Sequence, residues 1–319
     1  MQNSVYVEST STRLNPHVDP GLHVWGWEVP LDLFLGGVVA GLLVLYSVTV
    51  LLRAEKRYPT VVKAAPLLAV PLLGLGLLFL FLDLAYKLHA FRFYTTFQLS
   101  APMSWGSWII MMTMIVGGIQ FLYTLAEMEV FRKSAIGKWS IWNWFQGISS
   151  NVRRQMAWFS LFLGVGLGTY TGLLLASSTA RPLWNSGLVA PIFMVSGLAT
   201  GTAILLLLTR IKAERKALVR FVVICIALEL LLIAMWIGDL THGNLQALQA
   251  SELMLGGAYT AVFWSLAVIA GLLVPVILEV QFLRGRWAHT AVAPALILVG
   301  GLVLRLVLVQ AGQSLGYGA

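Results

Sequence analysis

The sequence encodes an all-α integral membrane protein with eight transmembrane helices, and three observations predict it. Hydrophobic residues make up 59% of the 319 and charged residues only 11%, where a soluble domain carries roughly 25% charged residues. Apolar stretches of about 20 residues, the length that crosses a bilayer core, recur eight times along the chain. The basic residues gather in alternate loops between those stretches. Only helices suit spans of this length, because lipid leaves every backbone group to be satisfied internally.

The spans fall at 30–52, 66–86, 103–127, 155–177, 188–209, 218–238, 257–281 and 290–311. The segment 1–29 before them lacks the basic start and short apolar core of a cleavable signal, so the first span is expected to act as the insertion signal. After span 1 come Arg53, Lys56, Arg57 and Lys63; after span 3, Arg132, Lys133, Lys138, Arg153 and Arg154. After span 5 come Arg210, Lys212, Arg215, Lys216 and Arg220, and after span 7 Arg284 and Arg286. The opposite loops carry only Arg13, Lys87, Arg92 and Arg181. The positive-inside rule therefore predicts that both termini lie outside the cytoplasm. The same distribution explains the formal net charge of +8 without nucleic acid.

Span 1 reads Pro30…Gly37-x-x-x-Gly41 and span 5 reads Pro191…Gly197-x-x-x-Gly201. The echo suggests two four-helix bundles, 30–180 and 181–319, repeated in parallel. Small-xxx-small spacing also arises wherever membrane helices pack closely, so both readings stand.

With this orientation, four helices of the first half send polar residues to one level near the outer surface. Asp32 opens span 1, Asp83 closes span 2, and span 3 begins with Ser104, Trp105 and Trp108. Tyr170 sits two to three turns below Arg181 at the end of span 4. Trp25, Trp27, Trp105 and Trp184 also suit an aromatic belt at the headgroups, and Arg181 a snorkelling cation. Asp32 and Tyr170 are harder to explain that way, since an ionisable group inside the membrane marks function by default. A quinol site needs such a pair. Its two protons call for an acceptor beside one hydroxyl and a hydrogen-bonding partner at the opposite oxygen, between apolar and aromatic walls.

Other redox equipment is missing from the sequence. His17, His23, His89, His242 and His289 all fall at or beyond span ends, whereas bis-histidine haem in a bundle needs histidines in facing spans. The lone Cys225 excludes both an internal disulfide and a cysteine-ligated iron–sulfur cluster. A chain of this kind that handles quinol requires a partner carrying the next redox centre.

The stretches WGWEVPLDLFLGGVVAG, SAPMSWGSW, TYTGLLLASSTARPLWN with APIFMVSGLATG, and LRLVLVQAGQ resemble the NrfD/polysulfide-reductase membrane-subunit family over the whole chain. The resemblance implies a quinone-binding anchor of a periplasm-facing respiratory complex, with menaquinone or ubiquinone as cofactor and no haem or iron–sulfur cluster in this chain. It implies partners as well: a ferredoxin-like, four-cluster iron–sulfur subunit and a molybdopterin oxidoreductase or multihaem cytochrome. The family's quinone site lies in the first bundle and uses a tyrosine corresponding to Tyr170. An asparagine and a histidine that contact quinone in polysulfide-reductase subunits fall here at Val29 and Asp32. Asp32 keeps proton-acceptor chemistry; Val29 cannot.

The site predicted from these readings comprises Asp32 and Tyr170 as the reacting groups, with His23, Trp27, Asp83, Ser104, Trp105 and Arg181 around the quinone. Two other readings remain, a secondary transporter with a midplane site and a purely structural anchor. Glu229 in span 6 and Arg305 in span 8 are read either as a buried ion pair or, with Glu279, as part of a path for proton translocation.

Overall fold

The computed structural model describes residues 25–314, apart from 85, 99–100, 134–141, 143–144, 146, 179, 287 and 289. It is all helical among the described residues. Eight helices are long and apolar enough to cross a membrane. In chain order they are α1 (Glu28–Leu51), α2 (Pro59–Asp83), α3 (Pro102–Glu127), α4 (Ser150–Ala176), α5 (Val189–Leu208), α6 (Lys212–His242), α8 (Thr260–Leu283) and α9 (Val292–Ser314). A shorter helix, α7 (Leu245–Leu255), lies between α6 and α8.

Where these boundaries differ from the apolar runs, local chemistry explains the difference. α2 starts seven residues early because Pro59 opens it at a position that needs no amide donor, and Pro66 and Pro71 are accommodated inside. α4 starts at Ser150 because the Ser149 side chain accepts from the Val152 amide at 3.4 Å, an N-cap. α6 runs beyond its apolar core by polar turns at both ends. The connection 239–256 is therefore mostly helix: α6 continues through His242, and the Asn244 side chain caps α7 by accepting from Ala247 N at 2.9 Å. Within α8, residues Phe263–Leu273 follow i→i+5 bonding.

α1 is the central helix. It packs on α2, α4, α5 and α9, α3 closes the gap between α2 and α4, and α5 packs on α4, α6 and α9. The echoed glycines of spans 1 and 5 face one another. A Cβ at Gly197 would stand 2.6 Å from the Gly37 carbonyl oxygen, and one at Gly201 would stand 2.9 Å from Gly41 Cα. Their register, 37 with 197 and 41 with 201, makes α1 and α5 a parallel crossing at backbone contact.

Arg305 of α9 is fully buried beside that crossing. Its Nε donates to Leu33 O at 3.2 Å, Nη2 to Phe193 O at 3.2 Å, and Nη1 to Gly301 O at 2.9 Å and Ser196 Oγ at 3.1 Å. Phe193 and Phe34 stack on the guanidinium at 5.0 and 5.8 Å. No ion pair with Glu229 forms; Ser196 stands between the two side chains. The cation is held by carbonyls and ring faces from three helices, which corrects the reading of Arg305 and Glu229 as a direct ion pair.

Candidate functional site

The end of the molecule where α1 begins and α2 ends holds a cavity of about 310 Å³. α1 contributes Val29 and Asp32, preceded by Trp25; α2 contributes Leu77, Leu80, Phe81 and Asp83. α3 adds Met103, Ser107 and Ile110, and α4 adds Tyr170 and Leu174. Leu84, Ala90, Phe93 and Tyr94, from the segment joining α2 to α3, complete the lining. Most of the wall is apolar, and its few polar groups include two carboxylates and two phenols.

The helix phase decides which side chains take part. Met103, Ser107 and Ile110 are spaced i, i+4, i+7 and share one face of α3. Ser104 and Trp105 fall off that face. Ser104 instead pins the connecting segment: its hydroxyl accepts from Gln98 N at 3.0 Å and donates to Thr96 O at 3.4 Å. Ser107 does the same, donating to Phe93 O at 2.9 Å. Trp105 points outward, 46% exposed.

Two glycines set the positions of the reacting candidates. A Cβ at Gly106 of α3 would coincide with the Tyr170 ring, so only glycine lets that phenol lie across α3. A Cβ at Gly76 of α2 would stand 2.9 Å from Asp32 Oδ1, so α2 passes directly over the carboxylate. Asp32 and Tyr170 are close enough to interact electrostatically. Burial pushes the Tyr94 phenol, in the connecting segment, above its ordinary range.

Of the predicted site residues, the structure brings Asp32, Asp83 and Tyr170 around one cavity. Trp27 is 54% exposed and meets Phe79 edge-on at 5.8 Å; its neighbour Trp25 takes the place in the wall. Arg181 does not reach the cavity. Its Nη1 donates to Gln313 O at 2.8 Å, at the end of α9. His23 lies outside the described residues. Gly76, Gly106, Ser107 and Tyr94 were not singled out from the sequence. The small residue inside Trp105-Gly106-Ser107-Trp108 was the available signal for Gly106, whereas Gly76, Ser107 and Tyr94 gave none.

The residues around Arg181 build a clamp behind the cavity. Trp25 N donates to Gln313 Oε1 at 2.8 Å and Gln313 Nε2 donates to Trp25 O at 3.0 Å. Trp25 stacks on Trp184 at 5.3 Å, whose Nε1 donates to Leu308 O at 2.7 Å. Gly312 leaves room for the Trp184 indole. Three stretches distant in sequence thereby fix one aromatic wall.

Fold and cavity together define a class: a multi-pass integral membrane protein with carboxylates and phenols enclosed by apolar walls near one end of its helices. The family follows from comparison with known proteins. The family model described as "Polysulphide reductase, NrfD" matches residues 15–315, and the chain belongs to that family. A polysulfide reductase chain of Wolinella succinogenes is 26% identical over 307 residues, with 91% of this sequence and 95% of that protein covered. Protein NrfD of Escherichia coli is 27% identical over 308 residues, with 91% and 95% covered. A selenate reductase subunit of Mesobacillus selenatarsenatis is 28% identical over 205 residues, 58% of this sequence and 47% of that protein. The family comprises membrane subunits of oxidoreductase complexes.

Proposed function

We propose that this protein is the quinone-reactive membrane subunit of a respiratory oxidoreductase, exchanging electrons between the quinone pool and an iron–sulfur partner at the end that holds the cavity. The observation that carries the reading is the cavity itself, with Asp32 and Tyr170 at one apolar site between α1 and α4. The donor set fits a quinone ring: a carboxylate and a phenol to engage its oxygens, and Trp25, Phe81 and Phe93 to flank it. A quinol supplies two electrons and two protons on oxidation. Asp32 takes one proton at its carboxylate, and Asp83, the second carboxylate of the lining, is the acceptor for the other. The Tyr170 hydroxyl holds a ring oxygen by a hydrogen bond. Phe81 and Phe93 keep water from the ring.

The sorting of basic residues to the opposite loops supports a periplasmic position for this end. Relatives named as polysulfide and selenate reductase components support a complex in which an iron–sulfur partner sits over this face and relays to a further catalytic protein, of molybdopterin or multihaem type. Menaquinone and ubiquinone both suit the cavity.

A quinone analogue titrated into the purified protein tests the proposal. Wild type should be stabilised against heat, and Asp32→Asn and Tyr170→Phe should respond less. Absence of any shift in wild type would leave a purely structural anchor, and substrate uptake by proteoliposomes holding this protein alone would favour a transporter.

A further inference from the structure

At the opposite, basic end, the start of α2 meets the junction of α5 and α6. A cleft of about 540 Å³ opens there. Lys63 and Arg210 stand at its sides, with Thr60, Leu67, Leu208 and Ile211 along its walls. Both cations are exposed, and neither makes an ion pair or side-chain hydrogen bond among the described residues.

The two walls are tied together. Glu214 of α6, fully buried, accepts from Val61 N of α2 at 3.0 Å through Oε1 and from Thr209 Oγ1 at 3.1 Å through Oε2. Thr60 Oγ1 donates to Thr209 Oγ1 at 3.3 Å. These bonds tie α2 to the α5–α6 junction and turn the Glu214 carboxylate toward the first turn of α2. Lys63 and Arg210 both line that cleft.

The ligand class follows from the lining. Two cations at the membrane surface call for a phosphate. The apolar walls run from that point along exposed Leu208 and the half-buried Leu67, a direction no free ion would use. We infer that this cleft binds one anionic phospholipid, its phosphate between Lys63 and Arg210 and an acyl tail along Leu67 and Leu208. The lipid would bridge α2 to α5 on the membrane side, outside the buried Glu214 contact.

The test is native mass spectrometry of the full-length protein in detergent, titrated with phosphatidylglycerol and, separately, phosphatidylcholine. Wild type should retain one phosphatidylglycerol in preference to phosphatidylcholine. Lys63→Gln with Arg210→Gln should weaken that retention roughly thirtyfold, each cation being worth about a fivefold factor. Phosphatidylcholine binding should stay unchanged, as should lipid retention by the control Arg132→Gln with Lys133→Gln at the same end. If the double variant does not purify folded, Arg210→Gln alone should show the roughly fivefold loss. Equal retention of both lipids by wild type, or full phosphatidylglycerol retention by the variants, would overturn the inference. So would displacement of the lipid by inorganic phosphate at matching concentration, which would make the site one for a free anion.

Discussion

Asp32 and Tyr170 are where sequence and geometry meet, since both were legible as ionisable groups inside apolar runs and both line one cavity. Asp32→Asn should leave the protein folded and assembled while lowering quinol turnover by about 10²–10⁴-fold, the usual worth of a positioned proton acceptor; steady-state turnover of the assembled complex measures it. Tyr170→Phe should weaken binding of a quinone analogue by only a few-fold, because one hydrogen bond contributes roughly 0.5–1.5 kcal/mol net. Gly106→Ala should do more than Tyr170→Phe, since the added methyl occupies the place of the phenol ring. Titration of the three variants with the same analogue gives the order. Ser104 and Trp105 fall away from the cavity for a single reason. Proximity to a helix end gives depth in the membrane, but the direction of a side chain around the helix depends on neighbours that sequence does not name.

At the scale of elements, the two glycine motifs are halves of one contact. Their spacing was legible, but their pairing was not, because a small-xxx-small stripe announces a close neighbour without identifying it. Gly197→Leu should prevent α1 and α5 from reaching backbone contact and abolish a cooperative thermal transition in detergent, whereas the same change at Gly238, with open space around its Cβ position, should be tolerated. Arg305 ties the same crossing to α9. Arg305→Leu would remove the bonds to Leu33, Phe193, Gly301 and Ser196, and a buried hydrogen bond from a charged donor contributes roughly 1.5–3 kcal/mol. A thermal melt should fall accordingly. Arg305 grips α1 at Leu33, one residue past Asp32, so this support also sets the angle at which α1 presents its carboxylate. Glu229→Gln should then have a milder effect on folding than Arg305→Leu, since Ser196 separates Glu229 from the cation.

For the whole molecule, the two ends differ in charge and in content. One end gathers the cavity and the Trp25–Trp184 clamp; the other gathers the basic loops and the cleft at Lys63 and Arg210. On the proposed function, an iron–sulfur partner that exchanges electrons with a quinone in the cavity would stand above it. Crosslinkers placed along 178–188 should capture that partner in the assembled complex, and those at Lys212 and Lys216 should not; the reverse pattern would move the partner to the basic end. The Arg181–Gln313–Trp25 clamp ties Arg181 to the end of α9, which suits the docking of the proposed partner there.

The eight spans and the sorting of basic residues to alternate loops were legible in the sequence alone. Those properties come from transfer of side chains between water and lipid, and each residue contributes independently of its distant neighbours. Tertiary structure decided which helices pair and which polar residues share a space. Gly37 meets Gly197, Gly106 makes room for Tyr170, and Gln313 reaches Trp25 across 288 positions. Such contacts depend on helix rotation and close packing, for which lipid-facing hydrophobicity gives no instruction, because a bilayer accepts any apolar face equally well.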